Sequence, residues 1–336
     1  MTSTTVTMGK GCWLGFDLGG TKMLATVWDG KFKSLGSERK KTKGFKGAQT
    51  GLERMMDTID EALSKADRSK EDLAGIGVAC PGPLDLEKGI LIDAPNLGWR
   101  NVPLRKELGK RYGCPVVIAN DVDAGVYGEY RFGAGRGARC VVGVFPGTGI
   151  GGGCVYEGRI LRGRKSSCME IGHIPLIPDG PLCGCGRRGC LEAVASRLAI
   201  SSAAAAAAYR GAAPVLLEKA GTDISRIRSG VLRASIEGGD RAVEEIVRLA
   251  AQHLGVALAG VIHLLGPEVV VLGGGLVEAL PELYLKEVSH AVDRRIMAGF
   301  AGTFKLATAK LGDDATVKGV AAWAMEEIAS RVAAGS

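Results

Sequence analysis

Three cysteines and one histidine are the residues of this chain whose types and spacing point most directly to chemistry. Cys183, Cys185 and Cys190 form a C-x-C-x4-C array, and His173 precedes the array by ten residues. Three thiolates and an imidazole make a closed tetrahedral set of the structural zinc type, with no open position for water. The alternative is a disulfide with unrelated thiols, but cysteines separated by one residue are badly placed to bridge each other. The array therefore predicts a structural zinc ion. His173 is the expected fourth ligand, and the alternative histidines all lie in predicted helices: His253, His263 and His290.

A short glycine turn near the start of the chain could hold a phosphate. Asp17 ends an apolar stretch, Gly19 and Gly20 follow in the turn, and Thr21 and Lys22 come next. Glycines let the backbone approach an anion and turn its N–H groups inward, while the hydroxyl and the ammonium add donors. Asp17 cannot hold phosphate directly because both are anions, so we expect it to bind Mg2+ or its waters. A plain tight hairpin that needs glycine is the alternative.

Two further glycine runs follow strands in the second half of the chain. Gly147, Gly149 and Gly152 satisfy the G-x-G-x-x-G fingerprint of dinucleotide sites, but that fingerprint requires a helix to follow. A strand and a hairpin follow here, so we expect this turn, with Thr148, to grip a polyphosphate opposite the first turn. The third run ends a strand and opens a helix, a position that suits ribose or adenine unless it serves only strand–helix packing. It consists of Gly273, Gly274 and Gly275.

An amide and a carboxylate follow the apolar run 116–119, namely Asn120 and Asp121. Ligands of open α/β sheets bind beyond the carboxyl ends of the strands, so both side chains should face a ligand. We expect Asp121 to act as a general base that takes the proton of a substrate hydroxyl. Two alternatives stay open: Asp123 as the base, and Asp121 as a helix N-cap.

The predicted elements place these residues at strand ends in two similar halves. We predict strands over 12–18, 21–28, 73–79, 115–119, 140–145, 154–161, 268–272 and 303–309. A turn at 29–30 should lead from the second strand to a third, and another turn is expected at 157–158. Residues 146–153 should form a glycine-rich loop. We predict helices over 48–65, 197–210, 240–265 and 281–297, and a last amphipathic helix over 316–333 that packs on the first domain. A strand, a glycine turn and a strand open both halves, which indicates two related α/β units facing each other across a cleft.

Composition limits the class of protein. The 336 residues are 46% hydrophobic and 24% charged, with a net charge of +7, as in an ordinary globular protein with room for two domains. The basic residues at 39–43 are expected to form a solvated loop rather than a nucleic-acid footprint. Residues 1–10 should form a frayed tail, and no signal peptide is expected at 1–11. The apolar run 249–265 contains polar residues and is too short to span a membrane, so we expect a cytoplasmic protein with reduced thiols.

Taken together, these segments resemble the ROK family of sugar kinases and sugar-responsive repressors, within the hexokinase–actin superfamily. The resemblance runs from about residue 13 to the last helix, and it rests on the segments 17–22, 81–85, 96–99, 120–121, 147–152, 170–173, the cysteine cluster through Glu192, and 272–275. It implies an α/β fold with two actin-like (ribonuclease-H-like) domains around a cleft, each with a mixed sheet that opens in a β-hairpin meander. We expect a smaller domain over 1–123 plus 313–336, and a larger one over 124–312 with the zinc- and nucleotide-binding segments.

The resemblance also implies roles for individual residues. Asp121 matches the family's catalytic base, and Asp17 matches its magnesium-linked aspartate. The residues that match the sugar-binding set are Asn96, Asn120, Glu170, His173 and Glu192. In the family, the histidine contacts the metal with one ring nitrogen and can meet the sugar with the other. The chain departs from many relatives at Cys168-Met169, where they have Ala-Gly, and at Ala119, where they have Glu.

The predicted activity is that of an ATP-dependent hexose kinase converting glucose to glucose 6-phosphate, with ATP and Mg2+ as cofactors and Zn2+ as a structural ion. The alternatives are a kinase of N-acetylglucosamine or N-acetylmannosamine, other hexose kinases, a catalytically idle sugar-binding protein and a sugar-responsive regulator. The regulator is disfavoured because only about 11 residues precede the first strand. The predicted partners are the hexose and ATP, without nucleic acid or membrane, and a homo-oligomer (dimer or tetramer) is expected.

Overall fold

The computed structural model describes residues 11–44, 47–164 and 168–334. The frayed tail predicted for residues 1–10 lies outside the described residues. The described chain divides into two units. Unit 1 takes the described residues up to Arg136, the segment Ile160–Cys168 and those from Asp313 onward, and unit 2 takes Gly137–Arg159 and Met169–Gly312.

Unit 1 is built on one mixed sheet with a small antiparallel sheet beside it. Its strands are β1 Cys12–Leu18, β2 Lys22–Trp28, β3 Ser34–Lys41, β4 Leu73–Cys80, β5 Leu84–Asp85, β6 Ile90–Ala94, β7 Trp99–Val102 and β8 Val116–Asn120. Its first helices are α1 Ala48–Lys65, α2 Leu104–Tyr112 and α3 Asp121–Phe132. The main sheet has the order β3-β2-β1-β4-β8 and the small sheet β5-β6-β7. The predicted strands at 12–18, 73–79 and 115–119 and the helix at 48–65 are confirmed.

The strands of the main sheet follow the apolar pattern of the sequence. β1 and β4 are buried along nearly their whole length, as expected for strands covered on both faces, whereas the edge strand β3 alternates and carries charges. β1, β4 and β8 run parallel, with Asp17 paired to Ala79 and Ala79 paired to Ala119. The carboxyl ends of these three strands therefore lie side by side.

Unit 2 repeats the arrangement. Its strands are β9 Cys140–Pro146, β10 Ile150–Tyr156, β11 Arg159–Ile160, β12 Val269–Leu272 and β13 Lys305–Thr308. Its helices are α4 Glu192–Ala195, α5 Arg197–Tyr209, α6 Pro214–Ala220, α7 Ser229–Glu237, α8 Arg241–Leu265, α9 Gly274–Ala279 and α10 Pro281–Asp293. The sheet order is β11-β10-β9-β12-β13, with β9 and β10 antiparallel and β9, β12 and β13 parallel. Both units therefore have the predicted mixed sheet that opens in an antiparallel meander.

The predicted loop over 146–153 and strand over 154–161 are wrong in their boundaries. β10 begins at Ile150, so three consecutive glycines pair with β9 inside the sheet. The middle one, Gly152, needs to be glycine because a Cβ there would lie 2.7 Å from the Met169 carbonyl oxygen. The strand ends before the turn at 157–158, and only β11 follows it. Glycine therefore serves a close backbone approach here as well as a turn.

The last helix, α11 Asp314–Ala334, packs on α3, β1 and β4 of unit 1. The close approach to α3 depends on small residues, since a Cβ on Gly319 would lie 1.9 Å from the Ala124 carbonyl oxygen. The helix is not amphipathic as predicted, because the consecutive residues 320–324 are all buried. Packing against α11 also keeps α3 in unit 1, which therefore extends beyond the first domain predicted to end at residue 123.

Helix α8 is long and apolar enough, by length and composition alone, to cross a membrane. Its bounds confirm the helix predicted over 240–265, and it contains the apolar run 249–265. In the most apolar window, however, 56% of the residues are buried inside the structure. A core helix passes the same test of length and composition, and we interpret α8 in that way.

Candidate active site

The first glycine turn of unit 1 joins β1 to β2 in a tight, internally bonded loop. The Gly19 N–H donates to the Lys22 carbonyl oxygen at 3.0 Å, and a Cβ on Gly19 would lie 2.7 Å from that oxygen. The buried Thr42 hydroxyl donates to the Gly19 carbonyl oxygen at 2.7 Å. Gly20, Thr21 and Lys22 are exposed at the tip. Hydrogen bonds within the turn and from Thr42 therefore fix its backbone, and the Thr21 hydroxyl and the Lys22 ammonium are exposed to a ligand.

Two carboxylates interact at the carboxyl edge of this sheet. Asp17 lies near the end of β1, and Asp121 directly follows β8. Removal from water raises the pKa of Asp17 to about 7, with added repulsion from Asp121 and Asp313 that the Arg39 cation only partly offsets. Burial also raises the pKa of Asp121, against the lowering effect of the Val122 N–H and of Asn120. Negative charge is therefore concentrated at this edge, which favours a cation or a shared proton.

Asn120, rather than Asp121, caps helix α3. The Asn120 Oδ1 accepts from the Val122 N–H at 2.9 Å and from the Asp123 N–H at 3.3 Å. Asp121 Oδ1 shares the first of these donors at 3.0 Å. Asp123 is only 2% exposed, so a substrate hydroxyl reaches it less readily than the half-buried Asp121. The geometry favours Asp121 over both of the alternatives that the sequence left open.

Asn96 lies next to the first glycine turn of unit 1. It is exposed, and its Cβ lies 3.6 Å from the position that a Cβ on Gly20 would take. The predicted site residues of unit 1 therefore gather around the first turn and the adjoining strand ends. This set comprises Asp17, Gly19, Gly20, Thr21, Lys22, Asn96, Asn120 and Asp121. Thr42 was missed, because nothing in the local sequence links it to a turn twenty-three residues earlier.

The four predicted metal ligands of unit 2 come together. The ligand atoms of His173, Cys183, Cys185 and Cys190 all lie within 4.8 Å of one another. The Cys185 and Cys190 sulfurs are 3.8 Å apart, and the Cys183 sulfur lies 3.7 Å from His173 Nδ1. Zinc–sulfur bonds of about 2.3 Å place two sulfurs of a tetrahedral site about 3.8 Å apart. The donor set and its spacing fit zinc, with His173 as the fourth ligand and Nδ1 as its binding atom.

The backbone of this cluster also depends on glycine. Gly186 and Gly189 adopt positive φ angles of 83° and 75°, and a Cβ on Gly189 would lie 1.7 Å from the Ile177 carbonyl oxygen. The Cys183 N–H donates to the Arg187 carbonyl oxygen at 2.8 Å and closes the loop. The sequence between the cysteines is thus shaped to hold the sulfurs together.

Glu192 connects the cysteine cluster to the second glycine turn. Its Oε2 accepts from the Ile150 N–H at 2.9 Å, and its Oε1 accepts from the Cys183 thiol at 3.7 Å. Position 149, beside Glu192, must be glycine, because a Cβ on Gly149 would lie 2.3 Å from Glu192 Oε2. Glu192 therefore shares its carboxylate between the start of β10 and the metal cluster.

The second and third glycine runs lie against each other. The Gly273 N–H donates to the Val144 carbonyl oxygen at 3.0 Å, and a Cβ on Gly273 would lie 2.5 Å from the Phe145 ring. Gly274 has a positive φ of 78° beside the Pro146 carbonyl oxygen. The glycines at 273–275 thus adjoin the strand that leads into the Gly147-Thr148-Gly149 turn. As predicted, strand β10 rather than a helix follows that turn, so no dinucleotide fingerprint is formed.

Glu170 precedes a single turn of 3₁₀-helix in unit 2, Ile171–His173, and His173 is the last residue of that turn. Glu170 is exposed, and its carbonyl oxygen accepts from the His173 N–H at 2.9 Å. A Cβ on Gly172 would lie 2.3 Å from the Ile150 carbonyl oxygen, so this turn packs directly on the start of β10. Met169 adopts a φ of 62°, a left-handed conformation in which glycine is favoured. This is the position where many relatives were expected to carry glycine.

The raised pKa of Asp17 predicts how stability depends on pH. An unfolded aspartate titrates near pH 3.9, whereas Asp17 in the fold titrates near 7. Between these values the folded chain holds a proton that the unfolded chain has lost, so stability falls as pH rises through this window. In metal-free buffer at pH 8, Asp17→Asn should therefore raise the free energy of unfolding by on the order of 1–3 kcal/mol, and at pH 4 by much less.

Urea unfolding of wild type and variant at both pH values measures this difference. Asp57→Asn, which makes the same change on the exposed side of α1, is the matched control and should leave the pH dependence unchanged. An Asp17→Asn protein with the wild-type dependence on pH would contradict the raised pKa assigned to Asp17.

Comparison with known proteins matches the ROK family model to residues 13–327. A glucokinase of Thermotoga maritima is 36% identical over 316 residues, which cover 94% of this chain and 98% of that protein. A ROK hexokinase structure from Thermus thermophilus has a TM-score of 0.80 at 33% identity, covering 95% of this chain and 99% of that one. A ROK family glucokinase from Streptomyces griseus, in complex with glucose and AMPPNP, has a TM-score of 0.79 at 31% identity and covers 94% and 100%. The resemblance found in the sequence is confirmed over nearly the whole chain, and this protein belongs to the ROK family.

Proposed function

We propose that this protein is a glucokinase, which transfers the terminal phosphoryl group of ATP to the 6-hydroxyl of glucose. The observation that carries the proposal is the partly shielded Asp121 carboxylate, which lies at the carboxyl edge of the unit 1 sheet and interacts with Asp17 beside a glycine turn. The glucokinase of Thermotoga maritima and the Streptomyces griseus enzyme bound to glucose and AMPPNP support the choice of substrates.

In the proposed reaction, Asp121 accepts the proton of the glucose 6-hydroxyl as that oxygen attacks phosphorus. A raised pKa makes Asp121 a stronger base than an ordinary aspartate. A positioned base of this kind contributes about 10²–10⁴-fold to the rate. The rest of catalysis is positioning and charge neutralisation, because phosphoryl transfer requires little covalent chemistry from the protein.

Phosphate binding is assigned to the two glycine turns. In unit 1, the exposed Thr21 hydroxyl and Lys22 ammonium offer donors at the tip of a rigid turn. In unit 2, Gly147, Thr148 and Gly149 offer a second turn, and the run 273–275 lies next to it for the nucleoside. Asp17 suits Mg2+, since a hard cation prefers carboxylate oxygens and would relieve the repulsion from Asp121 and Asp313. Bound Mg2+ supplies charge neutralisation on the phosphates.

Sugar binding is assigned to residues whose hydrogen-bonding groups are partly taken in the fold. Asn120 Oδ1 is used in capping α3, so its NH2 group is the part left to meet a hydroxyl. Glu192 Oε2 is held by the Ile150 N–H, and His173 Nδ1 faces Cys183, which leaves Nε2. Glu170 and Asn96 are exposed and complete the proposed set. A site of paired donors and acceptors can discriminate strongly against an analogue that lacks one hydroxyl.

The cysteine cluster is proposed to hold a structural zinc ion. Zinc bound to all four ligands leaves no open position for catalysis and stabilises the loop that carries them. By fixing the ring of His173, the cluster would also orient a sugar ligand. The homo-oligomeric state, the cytoplasmic location and the lack of nucleic-acid binding stay predictions from the sequence.

The proposed activity is tested by ADP release from ATP and Mg2+ across a panel of hexoses and N-acetylhexosamines. Glucose should be the preferred acceptor, and Asp121→Asn should lower turnover at least about 100-fold while retaining glucose binding. Asp57→Asn on α1 is the control for the same change in charge and should keep full activity. Normal turnover by Asp121→Asn would refute the assigned base, and equal or better rates with N-acetylglucosamine would reassign the substrate.

Removal of one sulfur tests the zinc proposal. Cys185→Ser should lower bound zinc, measured by atomic absorption, and should reduce the soluble yield and thermal stability. Cys168→Ser is the matched control, since Cys168 lies outside the four-residue cluster. A stable, active wild-type protein that contains no zinc would rule out the structural ion.

A further inference from the structure

An arginine lies against the second glycine turn of unit 2. Arg197 is the first residue of α5, directly after the Ser196 cap. Its Nη2 donates to Thr148 Oγ1 at 2.6 Å, and its backbone N–H donates to the Gly147 carbonyl oxygen at 2.8 Å. The turn and the start of the helix are therefore joined through two successive residues of the turn.

The charge of Arg197 is not balanced within the described part of the chain. Two arginines of unit 2 form ion pairs, Arg233 with Glu237 and Arg248 with Glu244 and Glu287. Among the described residues, no carboxylate lies within ion-pair distance of Arg197. The side chain is partly exposed, so its remaining guanidinium donors can reach a ligand.

The turn itself has fewer free donors than its glycines suggest. The Gly147 N–H donates to the Gly149 carbonyl oxygen at 2.8 Å, and the Ile150 N–H donates to Glu192 at 2.9 Å. The Glu192 carboxylate beside Gly149 also adds negative charge. A polyphosphate bound here needs a positive charge that the backbone does not supply. A guanidinium suits this task, because its planar donors match two phosphate oxygens at once.

We propose that Arg197 binds the terminal phosphates of the nucleotide, and that its hydrogen bond to Thr148 orients the guanidinium for this contact. The proposal rests on the proposed function, since it assumes that the turn receives ATP. It adds a cationic phosphate ligand that the sequence patterns did not reveal. The residue lies 49 positions after Thr148, outside every glycine motif.

The test is equilibrium binding of adenosine, AMP, ADP and AMPPNP with Mg2+, measured by calorimetry on the intact protein. Arg197→Gln retains a donor for Thr148 but removes the charge, and it should weaken ADP and AMPPNP binding by about 10- to 100-fold. Adenosine binding should not change, so the loss should grow with the number of phosphates. Arg197→Lys should recover part of the affinity. Arg210→Gln, at the exposed far end of α5, is the matched control and should bind every ligand normally.

Three results would overturn the proposal. Unchanged ADP and AMPPNP affinity in Arg197→Gln would show that the side chain does not contact phosphate. An equal loss for adenosine and AMPPNP would show that Arg197 only holds the turn in shape. Wild-type protein that binds no adenine nucleotide would reject the kinase function itself, and this result is distinct from the other two. Circular dichroism of each variant checks that the fold is retained.

Discussion

Burial of the Asp17 and Asp121 carboxylates at one edge of the unit 1 sheet, together with the repulsion of Asp17 by Asp121, is the constraint on which the account depends. The register of β1, β4 and β8 brings the ends of these strands side by side, so both side chains emerge at the same edge. Burial raises the pKa of both carboxylates, and the Asp121 charge raises that of Asp17 further, so their ionisation lowers stability at neutral pH. A cation beside Asp17 would relieve this repulsion, and a substrate hydroxyl beside Asp121 would donate a hydrogen bond to its shielded carboxylate. The same charges that cost stability in the free protein are thus those that the proposed reaction uses.

The sheet that carries this pair is held by close backbone packing. Gly15 of β1 and Gly77 of β4 lie directly under helix α11, where a Cβ would come within 1.9 Å and 2.2 Å of the Val317 and Val320 carbonyl oxygens. The parallel strands are therefore fixed from one face by a helix from the far end of the chain. This packing explains why the C-terminal helix belongs to unit 1.

Unit 2 depends in a similar way on one carboxylate. Glu192 accepts from the Ile150 N–H and contacts Cys183, so it connects the start of β10 with the cysteine cluster. Gly149, Gly152 and Gly172 allow the backbone segments around it to approach more closely than any side chain would permit. The cysteine cluster and the start of β10 therefore adjoin the same carboxylate.

Sequence reasoning predicted the parts of the fold that are encoded locally. The apolar runs of β1 and β4, the helical spacing of α1 and the C-x-C-x4-C array each carry their signal within about twenty residues. The same reasoning failed where glycine serves distant contacts, as in β10, whose glycines looked like a loop but pair inside the sheet. It also missed Thr42 and Arg197, because each acts on a turn that is far away in the chain. Long-range packing decides these positions, and one sequence does not display it.

The most direct test of the central claim is a crystal structure of the protein with glucose, AMPPNP and Mg2+. The account predicts that a carboxylate oxygen of Asp121 lies about 2.6–3.2 Å from the 6-hydroxyl of glucose. A structure in which another side chain occupies that position, with the Asp121 carboxylate turned away from the sugar, would contradict it.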